Sequence, residues 1–193
     1  MLAAALGVPD VALANMEDAD VRRAVDRLRS LVDRCDRLAG QVTVDELTGA
    51  MRRGAGLAAL QREIDRSRRH PGKGLVVVFI DVDGLKAVND RDGHAAGDEY
   101  LRSTVAALRE RLRSYDLVIR YGGDEFLVIL TGIGIAEAER IAVLLRQQVA
   151  TRTGGSISVG MAELGDESVD SLVERADAAL YAGREARRRQ QTA

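Results

Sequence analysis

The sequence predicts an α/β domain, a sheet of short strands packed with amphipathic helices, behind an N-terminal helical stalk. Three observations lead there. The chain has 193 residues, room for one domain of roughly 100–200 residues and a short appendage. Hydrophobic residues make up 46% of it, enough for a sizeable core and too many for wholesale disorder. Apolar residues switch repeatedly between helical spacing and short β-type runs.

Residues 1–19 read as an N-terminal extension. The first fifteen have no basic start and are broken by Pro9 and Asp10, which argues against a signal peptide. From residue 20 to about 39 there is neither glycine nor proline. Val21, Val25, Leu28, Val32, Cys35 and Ala39 there alternate steps of four and three, the seam spacing of a coiled coil. The stripe fits either a parallel coiled coil joining two copies or an amphipathic helix packed on its own domain. About three heptads of small residues would be weak alone, so a stalk over residues 20–44 is expected to align subunits more than to hold them.

Gly40 ends that helix, and a compact domain is expected over residues 45–193. Residues 45–70 read as a turn and a helix with Leu57, Leu60 and Ile64 on one face. The valine-rich run 75–80 reads as a strand buried on both faces. A helix over about 97–114 carries Leu101, Val105, Leu108 and Leu112. Runs 117–120 and 126–130, separated by Gly122 and Gly123, signal a hairpin. A helix over 136–150, a strand over 156–161 and a last helix from 169 to about 188 complete the pattern. Strands separated by helices around one hairpin give an α/β sandwich of ferredoxin-like type.

Composition narrows the function classes. Lys+Arg 28 against Asp+Glu 30 leaves a formal charge of −2. A protein that neutralises many phosphates shows a basic excess, so a nucleic acid polymer is not the expected partner. A lone Cys35 forms no internal disulfide and no Cys-rich zinc site, which points to a reducing compartment. No apolar run approaches the roughly 20 residues that span a bilayer. A cytoplasmic segment without membrane contact is expected.

Asp81 and Asp83 follow directly on the buried run. Residues two apart on a strand face the same side, and acids at the carboxyl end of an apolar strand border the crevice where ligands bind. Asp124 and Glu125 follow Gly122 and Gly123 at the hairpin tip. Two adjacent glycines there remove bulk and permit positive φ, so a planar or phosphorylated ligand can lie close to backbone. If the hairpin strand pairs beside the first strand, Asp81 and Asp124 converge. Converging carboxylates repel unless protonated or bridged by a cation. Oxygen ligands select hard ions, and Mg2+ works together with substrate phosphates.

Arg120 to Phe126, RYGGDEF in one-letter code, resembles the signature of the GGDEF-domain diguanylate cyclases. Four further stretches resemble the same family. Asp45-Glu46-Leu47-Thr48-Gly49 with Arg52 and Arg53 is similar to its DxLTGxxNRR opening, and FIDVDGLKAVNDRDGHAAGDEYL, from Phe79 to Leu101, to its DxDxFKxxND…GHxxGDxxL segment. SISVGMA from Ser156 and ADAALYAGR from Ala176 are similar to its last strand and helix. The resemblance runs from Asp45 to about Arg188 and implies a GGDEF domain of nucleotidyl-cyclase type.

The resemblance implies condensation of two GTP molecules to cyclic di-3′,5′-GMP with loss of two pyrophosphates. Each 3′-hydroxyl attacks the α-phosphorus of the other nucleotide, so two domains must face each other in a homodimer. Two divalent ions, Mg2+ or Mn2+, would sit about 3.5–4 Å apart in such a site. Asp81, Asp124 and the Val82 carbonyl would be the metal ligands by position. Asp124 or Glu125 would be nearest the attacking hydroxyl, with Asp124 favoured as proton acceptor. Gly122 and Gly123 would line the nucleotide, and Leu85 would border its base or ribose in place of the usual phenylalanine. Guanine would fall to Asn89 and Asp98, the carboxylate meeting N1–H and the exocyclic amine.

Lys86, Arg184 and Arg188 would face the β- and γ-phosphates. Arg184 replaces the family's lysine, and Arg188 keeps its arginine without the glycine expected before it. His94 in the GHxxGD stretch reads as a helix-start or packing residue. Arg113 and Asp116 form the RxxD element, which in the family is an inhibitory site for the cyclic product. Arg140 and Arg146 are alternatives for its second arginine. A catalytically silent nucleotide receptor is the competing reading, and the intact hairpin acids and glycines favour the enzyme.

Overall fold

The computed structural model describes residues 25–30, 43–69 and 74–192. The chain divides into two compact units, Met1–Gln41 and Val42–Ala193. In the first, residues 25–30 are helical, and Val25 and Leu28 of the expected seam are exposed. The other seam positions, Val21, Val32, Cys35 and Ala39, lie outside the described residues, as do the expected extension over residues 1–19 and His70 at the expected helix end.

The second unit runs β1 (Met51–Arg52), α1 (Arg53–Arg69), β2 (Leu75–Asp83), α2 (Leu85–Asp92), α3 (His94–Arg109), β3 (Leu117–Arg120), β4 (Glu125–Thr131), α4 (Ile135–Thr153), β5 (Ser156–Glu163) and α5 (Val169–Thr192). The sheet order is β1-β3-β4-β2-β5. β1 lies parallel to β3, and every other pairing is antiparallel. The stretch from β2 to β5 is therefore the expected βαββαβ sandwich, and β1, α1 and α5 are added around it.

β2 lies inside the sheet, between β4 and β5, and its side chains are apolar on both faces. Val76, Val78 and Ile80 pack with Leu101, Val105 and Leu108 of α3 and with Ala142, Leu145 and Val149 of α4. Leu75, Val77 and Phe79 pack with Leu60 and Ile64 of α1 and with Leu172, Ala176 and Leu180 of α5. The period of two along β2 sorts these side chains between the layers. It also decides where the acids go: Asp81 and Asp83 continue the odd-numbered series, on the face covered by α5.

Several boundaries differ from the sequence expectation, most of all around β2 and the helix after it. β2 extends past residue 80 to Asp83 because β5 keeps pairing with it, Asp81 opposite Ser158 and Asp83 opposite Ser156. The helix expected from residue 97 starts at His94 and ends at Arg109. Before it stands the short helix α2, set off by Gly84 at φ 77° and Gly93 at φ 84°. Positive φ at both ends is where glycine costs least.

Candidate active site

The carboxyl end of β2 is fastened to the hairpin between β3 and β4. β4 pairs antiparallel with β2 and brings Glu125 opposite Asp81. Beyond the last pair, the Val82 N–H donates to the Asp124 carbonyl at 3.0 Å. This bond holds the tip against β2, and Asp81 and Asp124 line one cavity of about 540 Å3. The convergence expected from the sequence is present.

The tip is braced from outside. Arg120 donates from Nη2 and Nε to the Gly123 carbonyl, at 2.8 and 3.3 Å, and from Nη1 to Asp45 Oδ1 at 2.9 Å. Asp45 also accepts from the Thr48 amide and hydroxyl, at 2.9 and 2.7 Å, so the turn before β1 and the hairpin share one carboxylate. Tyr121 is clamped between Phe79, edge-on at 5.3 Å, and the Arg53 guanidinium, 4.0 Å above its ring. In the sequence Asp45, Arg120 and Arg53 stand out only as parts of motifs. Their bracing roles become visible once β3 lies beside β1.

The glycines of the tip act through absence of bulk alone. Neither Gly122 nor Gly123 is among the glycines with positive φ. The Tyr121 and Gly122 amides both donate to the Glu125 carbonyl, at 2.8 and 3.2 Å, and this narrow turn closes with ordinary φ. A side chain at Gly122 would meet the Glu125 carboxylate, whereas one at Gly123 would project into open space.

The acids at the mouth differ in their surroundings. Burial pushes the Asp81 carboxyl above its usual range; Arg184 opposes this, while Asp124 and Asp83 add to it. Burial raises Glu125 too, helped by Asp124, Asp81 and Asp177. Asp83 is also desolvated, yet hydrogen bonds from Ser158, Ser156 and Arg184 bring it below the usual range. Those hydroxyls donate at 2.7 and 2.8 Å.

Cations ring the same cavity: Lys86 of α2, and Arg184, Arg187 and Arg188 of α5. Arg184, expected to face a phosphate, lies on the acids. Its Nη1 donates to Asp81 Oδ2 at 3.0 Å, and its Nη2 donates to Asp83 Oδ1 at 3.2 Å and also contacts Asp81 Oδ1. Arg187, which the sequence reading passed over, donates to Ser158 Oγ at 3.4 Å. It occupies the place where the resemblance puts a glycine, so pattern matching gave no signal for it.

Leu85 also lines the cavity and leads to the expected base-recognition residues. A Cβ at Gly97 would run into the Asn89 carboxamide and approach Leu85. That glycine therefore lets α2 and α3 close together and sets Asn89 beside the turn carrying Asp98. Both residues are half-buried, whereas His94 is exposed at the start of α3, in keeping with a helix-start position.

Arg113 and Asp116 border a separate cavity of about 350 Å3, with Arg109 and Leu112. Asp116 Oδ2 accepts from the Arg113 amide at 2.8 Å. The Arg113 guanidinium turns away, to Glu137 of α4 at 3.1 Å and to the Tyr115 hydroxyl at 3.0 Å. Of the two second-arginine candidates, Arg140 stands one turn beyond Glu137. Arg146 is electrostatically coupled to Arg187 and Asp83, and burial lowers its pKa first of all. Arg109, outside the RxxD element, lines the cavity itself.

The groups at the mouth that could ligate a metal, the Asp81 and Asp124 carboxylates and the Val82 carbonyl, all offer oxygen. That donor set fits a hard divalent cation. Among the described residues no group of three or more His, Cys, Asp or Glu is placed to hold a metal ion by itself, and phosphate or water oxygens would complete the coordination.

A βαββαβ sandwich with paired carboxylates at one sheet end and arginines above them defines a domain of nucleotidyl-cyclase type. Comparison with known proteins then identifies the family. Residues 42–190 match the family described as "Diguanylate cyclase, GGDEF domain", and the chain belongs to it. Diguanylate cyclase DosC of Escherichia coli is 37% identical over 171 residues, 83% of this chain and 36% of DosC. Diguanylate cyclase TpbB of Pseudomonas aeruginosa is 36% identical over 199 aligned positions, 93% of this chain and 45% of TpbB. The chain thus spans less than half the length of these relatives. Among solved structures, the GGDEF domain of DgcB from Caulobacter crescentus in complex with c-di-GMP superposes with a TM-score of 0.70 at 29% identity, covering 75% of this chain and 88% of that one. Diguanylate cyclase SiaD of P. aeruginosa, in complex with its activator SiaC, gives 0.70 at 35% identity, covering 87% and 68%. Among the described residues no helix is long and apolar enough to cross a membrane.

Proposed function

We propose that this chain is a diguanylate cyclase subunit that makes cyclic di-3′,5′-GMP from two GTP. The observation that carries the reading is the meeting of Asp81 and Asp124 in a cavity ringed by Lys86, Arg184, Arg187 and Arg188. The acids would hold Mg2+ or Mn2+, together with the Val82 carbonyl, and the cations would bind the β- and γ-phosphates. Divalent ions held there by Asp81, Asp124 and the Val82 carbonyl would supply charge neutralisation and would make the hydroxyl more acidic. Asp124 accepts the 3′-hydroxyl proton, with Glu125 beside it. Gly123 leaves the tip open for the nucleotide. Asn89 and Asp98 read the guanine edge, and Asp98 rejects adenine because an acceptor would face an acceptor.

One domain holds one GTP, so two copies must meet for either hydroxyl to reach a phosphorus. Product inhibition at Arg113 and Asp116 fits the separate cavity there and the c-di-GMP complex of the related DgcB domain. In that role Arg113 would release Glu137 to take the nucleotide.

The test is direct. The protein with GTP and Mg2+ should yield cyclic di-GMP and pyrophosphate by chromatography. Asp124→Ala should lower the rate at least about a hundredfold, the scale of losing a charge-stabilising group. Tight GTP binding with no cyclic product from the wild type would convert the reading to a nucleotide receptor.

A further inference from the structure

We infer that the Arg184 guanidinium is a built-in stand-in for the divalent cation, so that metal ion and triphosphate bind this chain as a pair and the metal binds poorly by itself. The inference rests on the proposed metal role of Asp81 and Asp124.

Arg184 touches both Asp81 oxygens, one at 3.0 Å, and extends to Asp83 Oδ1 at 3.2 Å. The oxygens that a metal ion would need on Asp81 are already engaged. The pair is partly shielded, with side chains 30% exposed for Arg184 and 17% for Asp81. It is therefore not a loose surface contact of the kind that contributes little. Only an arginine makes this plug: its planar fork meets both oxygens of a carboxylate, where a lysine presents a single point charge. Asp83 shares the Nη2 group with Asp81 and is itself fixed by the Ser156 and Ser158 hydroxyls.

An ion entering between Asp81 and Asp124 must displace the guanidinium. Left without an anion, Arg184 would sit near Arg187 and Arg188 at the mouth of the cavity, which is unfavourable. A triphosphate removes the difficulty, because phosphate oxygens suit the same fork as a carboxylate does. The nucleotide thus draws Arg184 off the acids while the ion takes its place. Each ligand then strengthens the other's binding by the same factor.

The test is a nucleotide-free Mn2+ titration of the full chain, followed by the electron paramagnetic resonance signal of free Mn2+. Arg184→Met should bind Mn2+ about tenfold tighter than the wild type, as when a competitor occupying the site about nine-tenths of the time is removed. Arg184→Lys should lie between them, and it carries the test if the methionine variant does not fold. Arg187→Met removes a cation from the same helix without freeing Asp81 and should change affinity by less than about twofold, the scale of a screened charge. Asp124→Asn in the Arg184→Met background should cancel the gain. Unchanged Mn2+ affinity in Arg184→Met and Arg184→Lys overturns the inference. So does an equal gain in Arg187→Met, or a gain that survives Asp124→Asn. Cyclic di-GMP synthesis is measured separately on the wild type, so failure of the enzyme reading and failure of the plug are told apart.

Discussion

Asp83 and Glu125 border the same cluster of charge, and their surroundings move them in opposite directions. Asp83 is brought below the usual range by the Ser158 and Ser156 hydroxyls and Arg184, against the cost of burial. Its charged form is favoured in the folded state, so its stabilisation is present above the unfolded pKa of about 3.9 and is lost as pH falls through the folded value. Asp83→Asn should therefore destabilise the fold at pH 7 by about 1–2 kcal/mol, and the gap should close below that pKa. Glu125 is raised, by burial first, so its charged form is disfavoured on folding. Glu125→Gln should raise stability at pH 7 by less than about 1 kcal/mol, since water screens a partly exposed group. That gain should fade as pH falls through the raised folded pKa toward about 4.3. Thermal melts of the three proteins between pH 7 and pH 3 check both signs. The identity of these acids was legible in the sequence because they sit at fixed offsets from an apolar run and a glycine pair. Their partners were not, since Ser156, Ser158 and Arg184 reach them from β5 and α5, far along the chain.

At the scale of elements, β2, α3, α4 and α5 were legible because each buries a regular apolar series. α2 was not: its eight residues include none that is buried, so it writes no stripe. β1 has two residues, too few for any period to show. The tip glycines were legible as missing bulk, but their φ depends on how the Tyr121 and Gly122 amides share the Glu125 carbonyl, which no pattern encodes. A different glycine sets the spacing of β5 and α5. A Cβ on Gly160 would meet the Leu180 amide nitrogen and the Ala176 carbonyl oxygen, and backbone gives way less easily than a side chain. Gly160→Ala should cost about 1–3 kcal/mol, the range for overpacking, measured by urea unfolding. It should also disturb the Arg184 contact, because α5 carries both.

At the scale of the whole molecule, the proposed chemistry needs two copies, so encounter governs rate. The expected seam over residues 20–39 would raise local concentration. Deleting residues 1–39 should then lower specific activity several-fold at low enzyme concentration, with recovery at high concentration. Equal turnover per subunit across a dilution series, with and without the segment, counts against it. Arg113→Ala should leave initial synthesis intact and relieve inhibition by added cyclic di-GMP.

The shared carboxylate of Asp45 has a mechanical consequence. The second unit begins at Val42, and three residues later Asp45 grips Arg120, which in turn grips the Gly123 carbonyl. Two polar links thus tie the start of this unit to the loop bearing Asp124. Asp45→Ala should cut both ties to the turn at once and leave the Arg120–Gly123 contact without its anchor.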